Sequence, residues 1–166
     1  MYTYKYPHPA VTSDCIVLAK ADAGQLSILL IRRKHEPCKG EWAFPGGFMN
    51  IDETAEDAAV RELAEETGVV IDSKQLRQVG AYTEVDRDPR ERVITIAHVV
   101  VLDEMPAARG ADDADSAQWF LVGHLPPLAF DHGRILADAL RIVNDCRKDV
   151  QYFNSEGNRQ WNFVQR

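Results

Sequence analysis

The sequence predicts an α+β sandwich, and three observations carry that reading. Strand-like stretches interleave with two long helical ones, at residues 54–67 and 131–149. Two of the strand-like stretches, residues 25–31 and 92–102, are apolar on both faces, as strands covered by helices on both sides are. The length of 166 residues suits one domain, residues 1–166, able to bury a core without disulfide or metal staples.

Residues 1–9 read as an extended lead-in whose alternating Tyr2, Tyr4 and Tyr6 line one face of an edge strand. Residues 11–19 and 25–31 read as strands joined by the turn Ala21-Asp22-Ala23-Gly24. A basic, irregular stretch follows, Arg32-Arg33-Lys34-His35-Glu36-Pro37-Cys38-Lys39-Gly40, then a short strand, Trp42-Ala43-Phe44, stopped by Pro45. Thr54 with Asp57 three residues on makes a capping-box-like helix start, and Gly68 a stop. Residues 69–71 and 76–83 are strand candidates before the strand at 92–102. Residues 104–116 read as an acidic loop and 118–121 as a short strand. In the second helix Ile135, Leu136, Ala139, Leu140, Ile142 and Val143 make an amphipathic stripe. The tail, residues 150–166, carries Tyr152, Phe153, Trp161 and Phe163, aromatics expected to pack on the body or on a partner subunit.

A net charge of −7 argues against a general nucleic-acid binder and against binding to an anionic membrane. No apolar run approaches the roughly 20 residues of a membrane span, and residues 1–10 lack the apolar core of a secretory signal. Cys15, Cys38 and Cys146 are far apart and odd in number, so they read as free thiols in a reducing cytoplasm.

The first helix carries the chemistry. Glu62, Glu65 and Glu66 stand at i, i+3 and i+4, neighbours along one side. At about 100° per residue, Glu62 and Glu66 project in nearly the direction of Ala55 and Ala59. Small alanines let a helix approach the protein body closely, so two carboxylates are aimed into a close approach. Unpaired there, they repel or one takes up a proton. A hard divalent cation removes both problems, and all-oxygen ligation suits Mg²⁺, with Mn²⁺ as a substitute. The bland alternative is a solvated acidic face with Arg61 supporting Glu65.

The whole stretch decides between them. Gly47, five residues, Glu53, seven residues, Arg61-Glu62-Leu63, one residue, Glu65-Glu66, one residue, Gly68-Val69 resembles the Nudix box, residues 47–69, at every defined position. The chain is therefore similar to the Nudix hydrolases, which cleave nucleoside diphosphates linked to another moiety. The resemblance implies an α/β/α sandwich: a mixed sheet with the box helix and a C-terminal helix packed on it. It implies that Glu62, Glu65 and Glu66, with the Gly46 carbonyl, hold one or more Mg²⁺ ions. It also implies that Arg61 holds Glu53 to the helix. Glu53 itself orients, binds metal through water or helps activate water, and Glu65 shares in catalysis. The catalytic base is expected on the late acidic loop, at Asp113 or Asp112.

Arg32, Arg33, Lys34 and Lys39, in the basic stretch, are phosphate-binding types of which at least one is a candidate for substrate contact, Arg32 and Lys39 foremost. Trp42 and Phe44 read as core, and His98 as a satisfied core histidine. Two further segments resemble the ADP-ribose pyrophosphatase branch: Tyr82-Thr83-Glu84-Val85-Asp86-Arg87-Asp88-Pro89-Arg90, and Trp119-Phe120 with Leu125-Pro126-Pro127-Leu128-Ala129-Phe130-Asp131-His132. Nudix-related transcriptional regulators share these features, but carry a winged-helix domain for which the short tail leaves no room. The expected activity is Mg²⁺-dependent hydrolysis of ADP-ribose to AMP and ribose 5-phosphate. The alternatives are another nucleotide, such as an oxidised nucleoside triphosphate or a nucleotide sugar, and a non-catalytic sensor. Arg87, Asp88 and Arg90 are expected to contact the substrate, since they offer acceptors to a ribose and forked donors to its phosphate. Homodimers are common among the resembling enzymes, and a two-fold dimer is expected.

Overall fold

Alternation along the first strand, β1 (Ala10–Lys20), decides the layering. Cys15 and Val17 turn to one face and Ile16 and Leu18 to the other, and all four are fully buried. Each face therefore needs a cover, and each has a helix. The computed structural model describes residues 4–21, 24–110 and 114–153. In chain order these form β1, β2 (Leu26–Arg33), β3 (Trp42–Ala43), β4 (Gly46–Phe48), α1 (Ala55–Thr67), a 3₁₀ turn (Ser73–Gln75), β5 (Arg77–Tyr82), β6 (Val93–Leu102), β7 (Ala114–Leu121) and α2 (His132–Phe153). The strands make one seven-stranded mixed sheet. Cys15, Val17, Leu29 and Val100 pack with Ala59 and Leu63 of α1. Ile16, Leu18, Ile28, Leu30 and Val99 pack with Ile135, Leu136 and Ala139 of α2 on the opposite face.

β1 pairs in parallel with β6 along its length, from Ala10↔Val93 to Ala19↔Leu102. Its other edge is divided. β4 takes Thr12 to Asp14 and β2 takes Val17 to Lys20, both antiparallel. The sheet forks between β4 and β2, and the functional cleft is lined from both sides of that fork. Beyond β2, β7 runs antiparallel along its far edge, and β3 pairs with Ile31 and Arg32.

Several expected boundaries move. Arg32 and Arg33 belong to β2 rather than to the irregular stretch, because β3 and β7 extend the pairing to the strand end. Residues 46–48, whose glycines carry no strand propensity, form β4 because they come close to β1: a Cβ on Gly46 would stand 2.6 Å from the Ser13 carbonyl oxygen. β7 begins at Ala114, earlier than alternation suggested, because it pairs with the end of β2. Residues 69–71 are not a strand; Val69 is buried against the α1 core while Val70 is 81% exposed. Residues 4–9 are not a strand either, and α2 continues to Phe153. Cys15 and Cys38 are free thiols. Tyr2, Asp112, Asp113, Trp161 and Phe163 lie outside the described residues. No helix among the described residues is long and apolar enough to cross a membrane.

The start of α2 is pinned to the β3–β4 connection. The Phe44 amide donates to Nδ1 of the buried His132 at 3.1 Å, and the two rings stack 4.4 Å apart. Accepting at Nδ1 requires the neutral ring, and burial lowers the His132 pKa below its usual 6.5. The unfolded chain therefore takes up this proton first, so the histidine's contribution is full above about pH 6.5 and is lost as pH falls below it. In urea titrations His132→Asn, which keeps an acceptor for Phe44, should flatten the loss of stability below about pH 6.5 by up to about 1.4 kcal/mol per pH unit. His132→Ala, which leaves the amide unpaired and a cavity, should cost about 2–4 kcal/mol at neutral pH.

Candidate active site

The box helix is fixed at both ends by its own sequence. The Thr54 hydroxyl accepts from the Asp57 amide while the Asp57 carboxylate accepts from the Thr54 amide, and Gly68 closes the helix in the left-handed region at φ 73°. Ala58, Ala59 and Leu63 are fully buried, so α1 lies close against the sheet. That approach takes Glu66 down to 6% exposure and leaves Glu62 half-buried. β4 meets them with glycines. The Gly46 amide donates to Glu66 Oε2 at 3.0 Å. A Cβ on Gly47 would stand 2.5 Å from Glu62 Oε1, and one on Gly46 2.5 Å from Asp14 Oδ1. Neither glycine tolerates a side chain without moving a carboxylate.

Arg61 ties the loop before the helix to the helix itself. Its Nε and Nη2 donate to the two Glu53 oxygens at 3.0 and 2.6 Å, and Nη2 also donates to the Phe48 carbonyl at 3.1 Å. Its Nη1 reaches Glu62 Oε1 at 2.7 Å and Glu65 Oε2 at 3.1 Å. The Asn50 amide gives Glu53 Oε1 a further hydrogen bond at 2.6 Å. Chiefly through the Arg61 hydrogen bonds, the Glu53 pKa falls to about 2. Its oxygens are occupied and it is a weak proton acceptor.

Glu66 goes the other way. Burial, with Glu62 and Asp14 adding negative charge nearby, raises its pKa to about 8 despite the Gly46 hydrogen bond. Burial also raises that of Glu62, against the opposing pull of Arg61. Carboxylates packed so tightly that one would hold a proton near neutrality are a donor set that fits a hard divalent cation. Among the described residues no three acidic, histidine or cysteine side chains are already gathered as a ligand set. The reason is visible in the pairing: Glu62 and Glu65 are turned onto Arg61, and Glu66 onto the Gly46 amide.

Gly46, Gly47, Arg61 and Glu62 open onto a cleft of about 390 Å³. Its other walls bring in Arg87, Asp88 and Arg90. Arg87 donates through Nε and Nη2 to both oxygens of Asp131, at 3.0 and 2.7 Å, and its side chain is 5% exposed. Asp88, buried, accepts from the Arg90 amide and from both arms of its guanidinium. The Arg90 guanidinium lies over the exposed Phe48 ring, 5.2 Å from its centre. Arg32 and Lys39 do not reach the cleft: both are exposed, and Arg32 Nε is spent on the Gly40 carbonyl. The neighbouring Arg33, at the end of β2, is the one that lines it, over the Phe130 ring at 4.9 Å. Phe130 itself sits at φ 52°, a region a bulky residue occupies only when its surroundings hold it there. The Ala129 amide bonded to the Trp42 carbonyl and the His132–Phe44 bond do so.

Asp14, Phe48 and His132 are cleft residues that sequence reasoning gave no role, while Arg33 is the one of the four basic candidates that the structure brings to the cleft wall. Asp14 left a trace, being a charged residue inside an apolar strand run; Phe48 and His132 gave none. Phe44 is core, as expected, and Trp42 is half-buried with its ring edge-on to Phe120. His98 is buried but satisfied at one nitrogen only, since its Nε2 has no hydrogen-bond partner.

Glycines that admit carboxylates, and carboxylates crowded enough to fit a divalent cation, stand here beside a cleft of arginines, the kind of groups that metal-assisted hydrolysis of a phosphoanhydride uses. Residues 8–139 match the NUDIX domain, and the chain belongs to that family. The ADP-ribose pyrophosphatase of Methanocaldococcus jannaschii is 45% identical over 140 residues, which cover 84% of this chain and 78% of that protein. A putative 8-oxo-dGTP diphosphatase of Bacillus subtilis is 54% identical over 129 residues, 76% of this chain and 75% of its own length. The NUDIX domain of Shewanella oneidensis NrtR, solved in complex with ADP ribose, superimposes with a TM-score of 0.77 at 28% identity over 86% of this chain and 94% of that one.

Arg61 is the group whose loss should uncouple this arrangement. Arg61→Lys keeps the charge but cannot reach Glu53 with two arms and the Phe48 carbonyl at once. Chemical denaturation should show a loss of about 1–2 kcal/mol, and Arg61→Ala about 2–3 kcal/mol, since the latter leaves partly buried carboxylates unpaired. A loss within 0.5 kcal/mol, about the size of a solvated surface change, would contradict the account.

Proposed function

We propose that this chain is a Nudix pyrophosphohydrolase that cleaves ADP-ribose to AMP and ribose 5-phosphate, with Mg²⁺ or Mn²⁺ held by Glu62, Glu65, Glu66 and the Gly46 backbone. The observation that carries the reading is the opening of the crowded carboxylates at Gly46-Gly47 directly onto a cleft whose walls carry both signs of charge. Bound there, the cation neutralises charge on the diphosphate oxygens and makes nearby water more acidic. The chain's own groups do the rest. Arg61 holds Glu53 ionised and immobile, so Glu53 orients the loop rather than accepting the proton. Arg33, Arg87 and Arg90 offer the diphosphate the guanidinium N–H groups not already bonded to Pro37, Asp131 and Asp88, and Asp14 and Asp88 supply acceptors for ribose hydroxyls. Phe130 and the Phe48 ring beneath Arg90 give apolar walls that a base or sugar can lie against. The base that takes the water's proton is assigned to Asp113 or Asp112.

The second reading is an oxidised nucleoside triphosphate as substrate, favoured by the 54% identity to the Bacillus relative. The carboxylates lining the cleft, Asp14 and Glu62 among them, count against it, because they repel the added negative charge of a triphosphate end.

The deciding experiment is a substrate panel with Mg²⁺, containing ADP-ribose, 8-oxo-dGTP and a nucleotide sugar, with products separated by chromatography. ADP-ribose should give AMP and ribose 5-phosphate with the highest kcat/KM; a higher value for 8-oxo-dGTP would replace this reading by the second. Glu66→Gln, which keeps shape but removes the charge, should lower kcat by about two orders of magnitude, as should chelation with EDTA. Arg90→Lys, which removes the fork held by Asp88, should lower kcat/KM for ADP-ribose by about tenfold and leave the triphosphate less affected. We also propose a cytoplasmic, two-fold homodimer: Tyr4 and Tyr6 stay 52% and 71% exposed in the single chain and would be covered by a second copy. A monomer's mass by light scattering at micromolar concentration would exclude the dimer.

A further inference from the structure

Beneath the first turn of α1 lies a buried polar pair that the proposed mechanism does not use. Ser13 of β1 is 0% exposed and His98 of β6 is 1% exposed, both on the α1 face of the sheet. Ser13 Oγ stands 2.6 Å from the Ala55 carbonyl oxygen in α1, 3.2 Å from the Ile96 carbonyl oxygen, and 3.3 Å from His98 Nδ1. A hydroxyl has one proton to donate. The 2.6 Å contact would be two oxygens in repulsion without it, so the proton belongs to Ala55. Ser13 then has only lone pairs left for His98, and Nδ1 must be the donor. The ring is therefore the Nδ1–H tautomer, with a bare Nε2. That nitrogen is buried without a hydrogen-bond partner, and the Glu56 carboxylate of α1 stands 3.8 Å away, acceptor facing acceptor.

A leucine would fill a core position without an orphaned acceptor, so packing does not account for this histidine. The position of Ser13 does. Its backbone is in register with Gly47, and its carbonyl oxygen stands 2.6 Å from where a Cβ on Gly46 would be. One residue thus holds β4 through its backbone and α1 through its side chain, and those two elements carry Gly46, Glu62 and Glu66. We propose that Ser13 and His98 are positioning residues for the cation site: Ser13 sets the separation of β4 and α1, and His98, as the Nδ1–H tautomer, keeps the serine proton directed at Ala55. This rests on the reading that α1 and Gly46 hold a divalent cation.

Two measurements test it. Long-range ¹H–¹⁵N NMR on histidine-labelled protein at about pH 8, where histidine is neutral, should show the Nδ1–H tautomer at His98. In Ser13→Ala it should convert to Nε2–H, because Nδ1 loses its acceptor while Glu56 remains. An Nε2–H ring in the unmutated protein overturns the proposal. Calorimetric titration with Mn²⁺ alone, without substrate, should show affinity lowered by about tenfold in Ser13→Ala and His98→Leu. Ser13→Thr should restore it, and His98→Asn, which keeps a donor for the serine, should stay within about twofold of the unmutated protein. Folded Ser13→Ala that binds Mn²⁺ as the unmutated protein does would sink the positioning role. Failure of the unmutated protein to bind Mn²⁺ would instead remove the cation reading, and with it this role.

Discussion

A carboxylate carried into the interior on a helix has to be answered by something, and Glu66 is answered by the amide of Gly46. Much of the site depends on that meeting. It requires α1 to lie close to the sheet, which Ala58 and Ala59 permit, and it requires β4 to have no side chains in the way, which Gly46 and Gly47 ensure. One amide does not offset the burial. The Glu66 pKa stays raised, to about 8, by burial, with the negative charge of Glu62 and Asp14 adding to it. The fold thus builds a place that is short of positive charge, and Arg61 supplies only part of it, from one flank. Removing a partner from such a cluster costs more than the pair contributes, because the charge left behind stays desolvated.

The far half of the cleft follows a different logic. Arg87 and Arg90 are not free cations reaching for phosphate; each is locked to an aspartate, Asp131 and Asp88. Pairing fixes the guanidinium planes in advance, so little side-chain freedom is lost when a ligand arrives. It also sets Asp88 in the cleft wall beside the arginines, so that both signs of charge line it. A ligand with phosphates and hydroxyls close together can use both, while a run of phosphates alone can use only one. In the proposed function the arrangement of charge, rather than its total, is what would favour a nucleoside diphosphate sugar over a nucleoside triphosphate.

Much of the fold was legible in the sequence, and the reasons are specific. The cap residues Thr54, Asp57 and Gly68 act locally, so the helix they bound could be read without its neighbours. The apolar runs of β2 and β6 report cover on both faces, which is what α1 and α2 provide. The Nudix box brought the family and, with it, the mixed sheet. What stayed hidden depends on tertiary pairing. Gly46-Gly47-Phe48 becomes a strand only because β1 is there to pair with it. Arg32 and Arg33 are adjacent and alike, and only the register of β2 against β3 and β7 sends Arg33, not Arg32, to the cleft. Asp14 was within reach as a charge in an apolar strand, whereas His132 gains its place from a bond to a backbone amide 88 residues away.

The central claim is that a divalent cation sits between β4 and the box helix. Crystals soaked in Mn²⁺ and measured at the manganese edge test it directly, because the anomalous signal locates the ion without reference to any assumed ligand. The account predicts a peak within direct coordination distance, about 2.0–2.3 Å, of carboxylate oxygens of Glu62 and Glu66, with the Gly46 carbonyl beside it. Arg61 should then release Glu62 while keeping Glu53. A peak elsewhere in the cleft, or none with Glu62 still paired to Arg61 at saturating Mn²⁺, would contradict the account.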